Sequence, residues 1–224
     1  MNADDQQLII SIDREFGSGG KEIGMILANR YEIPFFEKNI LSYLNLPSTQ
    51  DVEDLFAKDE APRWKLASRT VRGLTNSNEQ ALAQMEFDFL KDMAAQGKSF
   101  VIMGHVAEDI LKDYPGLVTI FVGADEDFKI PRIMMEHEKS EEEARKMMVR
   151  HDLKRKAYHN NFSQHKWGDS RRYDLCIRSD KLGAPATADF IQDYIEKKRA
   201  LQAAKAAESA SSQTDESITD SNQQ

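Results

Sequence analysis

The chain has 224 residues, of which 40% are hydrophobic and 30% charged, so its length suits one well-packed domain. Its formal net charge of -8 argues against a general binder of nucleic acid or anionic membranes, because such proteins usually need a basic surface. The single cysteine excludes an intrachain disulfide framework, and no stretch is long and apolar enough to span a bilayer. We therefore expect a cytoplasmic protein, with the polar residues 1–7 as an N-terminal extension rather than a signal peptide.

Apolar runs of strand length alternate with helix-like sequence along the chain. The predicted strands cover residues 8–12, 33–36, 99–103, 117–122 and 173–177. The predicted helices cover residues 21–31, 37–44, 64–74, 78–96, 106–112, 125–138, 140–159 and 186–207. Near-continuous apolar strands separated by helices are typical of a parallel sheet that is buried on both faces. The sequence therefore predicts a three-layer α/β/α domain with a mainly parallel five-stranded sheet over residues 8–202, followed by a disordered polar tail over residues 203–224.

The most informative segment is the glycine-rich turn between the first predicted strand and the first predicted helix. It contains Gly17, Ser18, Gly19, Gly20 and Lys21. Glycines let backbone N–H groups point together at an anion, and the N-terminus of the following helix adds partial positive charge. Lys21 supplies a mobile cation. The segment therefore predicts a phosphate-binding loop, with an ordinary turn that holds no ligand as the alternative.

The loop departs from the usual pattern G-x-x-x-x-G-K-[ST]. If Lys21 is the lysine of the pattern, Glu15 stands at the first glycine and Glu22 at the hydroxyl residue that would bind magnesium. Alignment on the following helix shifts the register by one and puts Gly20 at the lysine position. Ser18 remains as a hydroxyl that could reach a magnesium ion directly or through water.

Basic residues are concentrated between residues 128 and 156. Phosphoryl transfer needs positive groups around the transferred phosphoryl group, and guanidinium groups bind phosphate bidentately. In a small kinase such arginines lie on a helical lid that closes over the nucleotide. Arg150 and Lys154 share a helix face but Arg150 and Arg155 do not, so a lid requires a break or turn near Asp152. For most of these charges the alternative is a solvated amphipathic helix pair.

Two further positions have competing interpretations. His105 follows the third predicted strand at the edge where ligands bind, where it could face a phosphate or a proton in transfer, or serve as a helix cap or packing residue. The other histidines fit no common metal-binding spacing, so the sequence predicts no metal site built on them. Cys176 lies in an apolar run, which favours a buried structural thiol.

Four segments, in this order, together resemble the cytidylate kinase-like family of P-loop proteins. They are residues 10–24, 33–38, 101–105 and 167–177. The resemblance covers about residues 8–196 and depends on the ordered set rather than on any one segment. It implies a P-loop kinase fold of the nucleoside monophosphate kinase type, with a helical lid over about residues 128–170. ATP phosphates are then expected on the loop after the first strand, and a monophosphate acceptor in the cleft.

The resemblance also implies roles for individual residues. The residues that would hold the donor phosphates are Gly17, Ser18, Gly19, Gly20 and Lys21. The residues that would act on the transferring group are Lys21, Arg132, Arg150, Asp152 and Arg155, with Asp152 orienting an arginine. Arg14 and His105 would face the acceptor. The family looks to have Gly-Arg where this chain has Gly104-His105, and an imidazole cannot make the paired contact of a guanidinium, so acceptor binding requires another cation.

The function predicted from these features is ATP-dependent phosphoryl transfer to a small acceptor, with Mg²⁺ as the accompanying ion. CMP or dCMP is the default acceptor by resemblance. Two alternatives stay open: a nucleotide-binding regulatory or sensor module without turnover, which Glu22 and His105 support, and a kinase for a non-nucleotide metabolite. The expected partners are small-molecule nucleotides, with no nucleic acid and no membrane, and the oligomeric state does not follow from the sequence.

Overall fold

Five parallel strands form the centre of the molecule. The computed structural model describes residues 7–37, residue 40 and residues 75–220. Its strands are β1 (Ile9–Arg14), β2 (Phe35–Phe36), β3 (Phe100–Met103), β4 (Leu117–Gly123) and β5 (Leu175–Arg178). Their order in the sheet is β2-β3-β1-β4-β5, and every neighbouring pair is parallel. The predicted α/β fold with five parallel strands is thereby confirmed.

Six helices surround the sheet in the described part of the chain. They are α1 (Gly20–Arg30), α2 (Thr75–Ala95), α3 (Ala107–Ile110), α4 (Glu126–His137), α5 (Glu141–Phe162) and α6 (Gly183–Asp220). Two short 3₁₀ turns, Ser170–Arg172 and Ser179–Lys181, flank β5. The helices predicted over residues 37–44 and 64–74 lie almost wholly outside the described residues. None of the described helices is long and apolar enough to cross a membrane.

The central strand β1 is buried on both faces, which produces the three layers. Ile10 and Ile12 belong to a cluster with Leu27 of α1 and Ile191 of α6. Ile9, whose side chain points to the opposite face, packs in a second cluster with side chains of α2 and α3. Because successive side chains of a strand point to opposite faces, one continuous apolar run supplies both clusters. This packing fixes the carboxyl end of β1, where the glycine-rich loop begins.

Two sequence-based expectations concern the C-terminal part of the chain. Helix α6 extends to Asp220, into the segment for which the polar composition predicts disorder from residue 203, and that expectation stays a prediction. Residues 203–210 hold five alanines, and alanine, which has the highest helix propensity, can extend a helix that is already anchored. The prediction that Cys176 is buried is wrong, because β5 is an edge strand and its alternate side chains, including this thiol, are exposed.

Candidate active site

The glycine-rich loop joins β1 to α1 and leaves a row of backbone amides unpaired. Gly17 and Gly19 have φ values of 81° and 76°, in the left-handed region that glycine adopts without strain. The N–H groups without an acceptor among the described residues are those of Gly17, Gly19, Gly20, Lys21 and Glu22. Four of these N–H groups belong to the N-cap residue Gly19 and to the first three residues of α1, where the helix dipole adds positive potential. Such an arrangement binds phosphate oxygens.

Helices α4 and α5 pack directly on this loop. A Cβ added to Gly17 would lie 2.9 Å from Ile133 Cδ1 and 3.1 Å from the Lys129 carbonyl oxygen, so α4 leaves no room for a side chain there. Phe16 packs against the apolar cluster formed by the two helices, whose members include Ile133 and Met148. The helix pair that the sequence predicts as a lid therefore lies against the phosphate loop.

Glu15, at the first-glycine position of the usual pattern, ties the loop to α4. Its Oε2 accepts hydrogen bonds from Lys129 Nζ at 2.8 Å and from the Ala124 amide at 3.2 Å. The Lys129 side chain is only 8% exposed, whereas Glu15 keeps 32% of its side-chain surface in contact with solvent. The departure from the pattern is thus part of the packing between loop and helix.

Removing one partner of this ion pair should lower stability. In Lys129→Met we expect the free energy of unfolding to fall by about 2 kcal/mol, less than for a fully buried pair because Glu15 is partly solvated. Lys146→Met is the matched control, since Lys146 is 73% exposed and its pairing with Glu142 should contribute little. Urea denaturation of both variants measures the difference, and equal losses would contradict the structural role of the pair.

Arg14 explains why position 20 is glycine. A Cβ on Gly20 would lie 2.7 Å from Arg14 Cβ and 3.0 Å from its Cγ. The stem of Arg14 therefore occupies the space into which a lysine at position 20 would extend. Lys21, one position further, projects outward with 59% of its side chain exposed, and its Nζ lies 2.7 Å from Glu37 Oε2. The cations beside the loop are supplied by positions 14 and 21 rather than by position 20.

Arg14 and Arg155 place two guanidinium groups close together at the end of β1. The Arg14 side chain is 11% exposed, and its Nη2 lies 3.6 Å from Glu37 Oε1. Arg155 Nη1 donates to the Arg14 carbonyl oxygen at 3.1 Å. Burial, and after it the neighbouring charge of Arg14, lower the pKa of Arg155 to about 10. Two buried like charges repel each other, so an anion bound between them would be stabilised.

Asp152 connects α5 to the loop and to Arg155. Its Oδ1 accepts a hydrogen bond from the Phe16 amide at 2.7 Å and lies 3.5 Å from Arg155 Nη1. Burial raises the pKa of this carboxyl group. The break expected near Asp152 is wrong: α5 is continuous, because the segment holds no glycine or proline and the long Arg155 side chain reaches the loop without a turn.

The remaining predicted cations differ in how near they lie to the loop. Arg132 lies beside Gly19, with its guanidinium carbon 3.8 Å from the position of an added Cβ, and pairs with Glu22 at 3.2 Å. Arg150 is exposed on α5 and has no ion pair within the described ranges. Ser18 is buried, and its hydroxyl donates to the Glu15 carbonyl oxygen at 2.8 Å. Arg132 is therefore placed to meet a phosphate, Arg150 lies at the surface, and the Ser18 hydroxyl points into the loop.

His105 lies in a strained turn after β3. Gly104, His105 and Val106 all have positive φ, at 75°, 59° and 56°, and a β-branched residue rarely adopts this conformation. The ring of His105 is held by the protein: Nδ1 lies 3.1 Å from the Met103 carbonyl oxygen and Nε2 lies 3.6 Å from Glu86 Oε1. Arg14 Nη1 lies 3.0 Å from the position of a Cβ on Gly104. A guanidinium from β1 is therefore present beside the turn where the resemblance leads one to expect an arginine.

Sequence reasoning missed several acidic residues around these cations. Glu37 pairs with both Arg14 and Lys21, and nothing in its local sequence sets it apart from other surface acids. One buried group in the described part of the chain could hold a metal ion: Asp13, Glu108 and His159. Burial raises the pKa of the Glu108 carboxyl group. Burial lowers the pKa of His159, but the hydrogen bond between this imidazole and Glu108, together with the charges of Glu108 and Asp13, outweighs that effect, so the pKa of His159 is raised.

The loop, the parallel sheet and the helices packed on the loop define the fold of a P-loop kinase. The model of the cytidylate kinase-like family matches residues 9–181, and the chain belongs to this family. A search among curated proteins finds no match to the sequence.

Two solved structures illustrate the likeness. An uncharacterized protein from Eubacterium ventriosum is 36% identical, with a TM-score of 0.66, over 85% of this chain and 99% of that one. Shikimate kinase from Bacteroides thetaiotaomicron is 14% identical, with a TM-score of 0.50, over 84% of this chain and 98% of that one. The second likeness shows the fold alone.

Proposed function

We propose that this member of a kinase-like family transfers the γ-phosphoryl group of ATP to a small anionic acceptor, a nucleoside monophosphate with CMP or dCMP as the first candidate. The observation that carries the proposal is the juxtaposition of an amide-lined loop with two partly buried guanidinium groups at the end of β1. The loop provides for a donor phosphate, and the arginine pair provides for an acceptor phosphate. Phosphoryl transfer requires both in one cleft.

The donor side fits the phosphates of ATP. The unpaired amides of the loop, the N-terminus of α1 and the Lys21 ammonium all favour a polyanion. Arg132 lies beside Gly19 and would neutralise charge that develops on the transferring group. For Mg²⁺, which shields the phosphates, the carboxylates of Glu22 and Glu37 are oxygen ligands that flank the loop, whereas Ser18 is buried.

The acceptor side is built on Arg14 and Arg155. Their forks can bind one phosphate group from two directions, which positions its attacking oxygen toward the loop. Asp152 would hold Arg155 in this orientation while its second contact, with the Phe16 amide, fixes the loop. Phe16 lies under the Arg155 guanidinium, 5.5 Å from ring centroid to guanidinium carbon, and excludes water from this side. Catalysis would be positioning and charge neutralisation.

A panel assay tests the proposal. The purified chain is supplied with ATP and Mg²⁺ and with each nucleoside monophosphate in turn, and formation of the diphosphate is followed. We expect turnover with at least one pyrimidine monophosphate. In Arg14→Lys we expect the KM for that acceptor to rise about thirtyfold, the equivalent of about 2 kcal/mol, because lysine cannot make a bidentate contact.

The KM for ATP should change less than threefold in the same variant, since the loop amides are untouched. No diphosphate from any nucleotide in the panel would refute the nucleotide-kinase proposal. An equal rise in both KM values would show that Arg14 supports the loop as a whole rather than the acceptor.

A nucleotide-binding module without turnover is the second candidate. The observation that favours it is that two cations beside the donor side of the loop are each paired with a carboxylate, Lys21 with Glu37 and Arg132 with Glu22. A phosphate must displace these acids, which weakens its binding. Calorimetry with ATP separates the two candidates, because the module predicts binding with no product formed.

A further inference from the structure

Three buried side chains from three different elements converge beside Gly104. They are Asp13 at the end of β1, Glu108 in α3 and His159 in α5, and one ligand atom from each lies within 4.8 Å of the other two. Their exposed fractions are 5%, 7% and 4%. None of the three has a part in the phosphate contacts proposed above.

Hydrogen bonds do not satisfy this cluster. Glu108 Oε1 lies 2.6 Å from His159 Nε2, but Oε2 of the same carboxylate is buried and has no partner within the described ranges. Asp13 Oδ2 accepts a hydrogen bond from the Tyr173 hydroxyl at 2.8 Å. Arg14 forms its ion pair with Glu37 and none with Asp13 or Glu108, although its charge acts on Asp13. The cluster therefore keeps a buried carboxylate oxygen, Glu108 Oε2, whose burial without a hydrogen bond is costly unless a ligand contacts it.

We propose that Asp13, Glu108 and His159 bind a divalent transition-metal ion of the Zn²⁺ class. An imidazole with two carboxylates suits Zn²⁺, whereas Mg²⁺ prefers oxygen ligands and keeps several waters. Bond lengths of about 2.0–2.2 Å would place the ligand atoms about 3.4 Å apart, so the 2.6 Å contact between Glu108 Oε1 and His159 Nε2 must open on binding. The Tyr173 hydroxyl donates a hydrogen bond to Asp13 and orients its carboxylate, as the hydrogen-bond donors behind metal ligands do.

The site lies where it can align the two arginines of the cleft. Asp13 immediately precedes Arg14 in β1, and His159 is one helical turn after Arg155 in α5. A metal ion that joins β1 to α5 through Asp13 and His159 also joins the two backbone segments that carry the guanidinium groups of Arg14 and Arg155. Its contribution is therefore to positioning, and it does not contact the transferred group.

Equilibrium dialysis of the full chain against Zn²⁺ tests this site directly. The protein is prepared without a chelator or a histidine tag, and the bound metal is counted by mass spectrometry. We expect one Zn²⁺ per chain in the wild type, binding at least about a hundredfold weaker in Glu108→Gln and His159→Gln, and about tenfold weaker in Tyr173→Phe. His165→Gln is the matched control and should bind as the wild type does, since this histidine is not part of the cluster.

No stoichiometric Zn²⁺ in the wild type, equal affinity for Mg²⁺, or unchanged binding in Glu108→Gln and His159→Gln would each overturn the proposal. Because a substitution at a buried position can unfold the chain, X-ray absorption at the zinc edge of the wild-type protein is the second measurement. We expect a shell of nitrogen and oxygen with one imidazole and no sulfur. A sulfur ligand would place the ion at Cys176 and overturn the assignment.

Discussion

Replacing Arg155 by alanine should lower kcat/KM about 100- to 1000-fold with the acceptor that the nucleotide panel identifies. The guanidinium is one of two that can meet the acceptor phosphate, and loss of a preorganised donor at a transferring group typically costs this much. Arg155 also lies over the Phe16 ring and donates to the Arg14 carbonyl oxygen, so its position is fixed before substrate binds. Steady-state kinetics in both substrates measures the effect.

Two variants give this prediction its controls. Arg155→Lys keeps the charge but not the fork, and we expect an intermediate loss of about tenfold to thirtyfold. Lys156→Ala removes a neighbouring, exposed cation of the same helix, and its kcat/KM should stay within threefold of the wild type. Thermal unfolding must show that the alanine variant remains folded, since it leaves the half-buried Asp152 without its ion pair. Similar losses in Arg155→Ala and Lys156→Ala would contradict the proposed contact.

Gly20→Ala should be nearly as damaging, although it adds a single methyl group. The new Cβ would lie 2.7 Å from Arg14 Cβ, a contact that requires the backbone of the loop or of β1 to move. Overpacking of this kind typically costs about 1–3 kcal/mol of folding free energy. We also expect at least a tenfold loss of ATP affinity, because the displaced backbone carries the amides that face the phosphates. Urea denaturation and calorimetry with ATP measure the two effects.

Gly123→Ala is the matched control for the loop substitution. Its new Cβ would meet Glu15 Oε2 at 3.5 Å, an ordinary contact, so stability and ATP affinity should change little. The double variant Arg14→Gly, Gly20→Ala removes the stem that causes the clash. It should recover much of the lost stability but not the acceptor affinity. Failure of the double variant to recover any stability would show that the loss has another origin.

The sheet could be predicted from the sequence because it depends on local composition. The run that includes Ile9, Ile10 and Ile12 is apolar at nearly every position, which only a strand with two buried faces requires. The strand order could not be predicted, since the pairing of β1 with both β3 and β4 depends on contacts remote in the chain. Cys176 shows the same limit: an apolar run alone does not tell an edge strand from a central one.

The loop was recognisable from its glycines, but its departures from the usual pattern could be explained only in three dimensions. Glu15 accepts a hydrogen bond from Lys129, which is 114 positions away in the chain. Gly20 is required by the side chain of Arg14, a conflict of volume that no motif expresses. The histidine spacings did not point to the cluster of Asp13, Glu108 and His159, because His159 meets Glu108 across 51 positions and not another histidine. Each missed feature joins elements that the sequence cannot place side by side.

The double pairing of Glu37 has a consequence for how the affinities of two bound anions depend on each other. One carboxylate oxygen of Glu37 contacts Lys21 beside the glycine-rich loop, and the other contacts Arg14 beside the turn that follows β3. An anion that draws Lys21 away from Glu37 changes the strength of the ion pair between this carboxylate and Arg14. An anion that draws Arg14 away changes the ion pair with Lys21 in the same way. By thermodynamic linkage, whatever effect the first ligand has on the affinity of the second, the second has on the first. A single acidic side chain, that of Glu37, can thus couple ligand binding at one half of the cleft to the affinity of the other half.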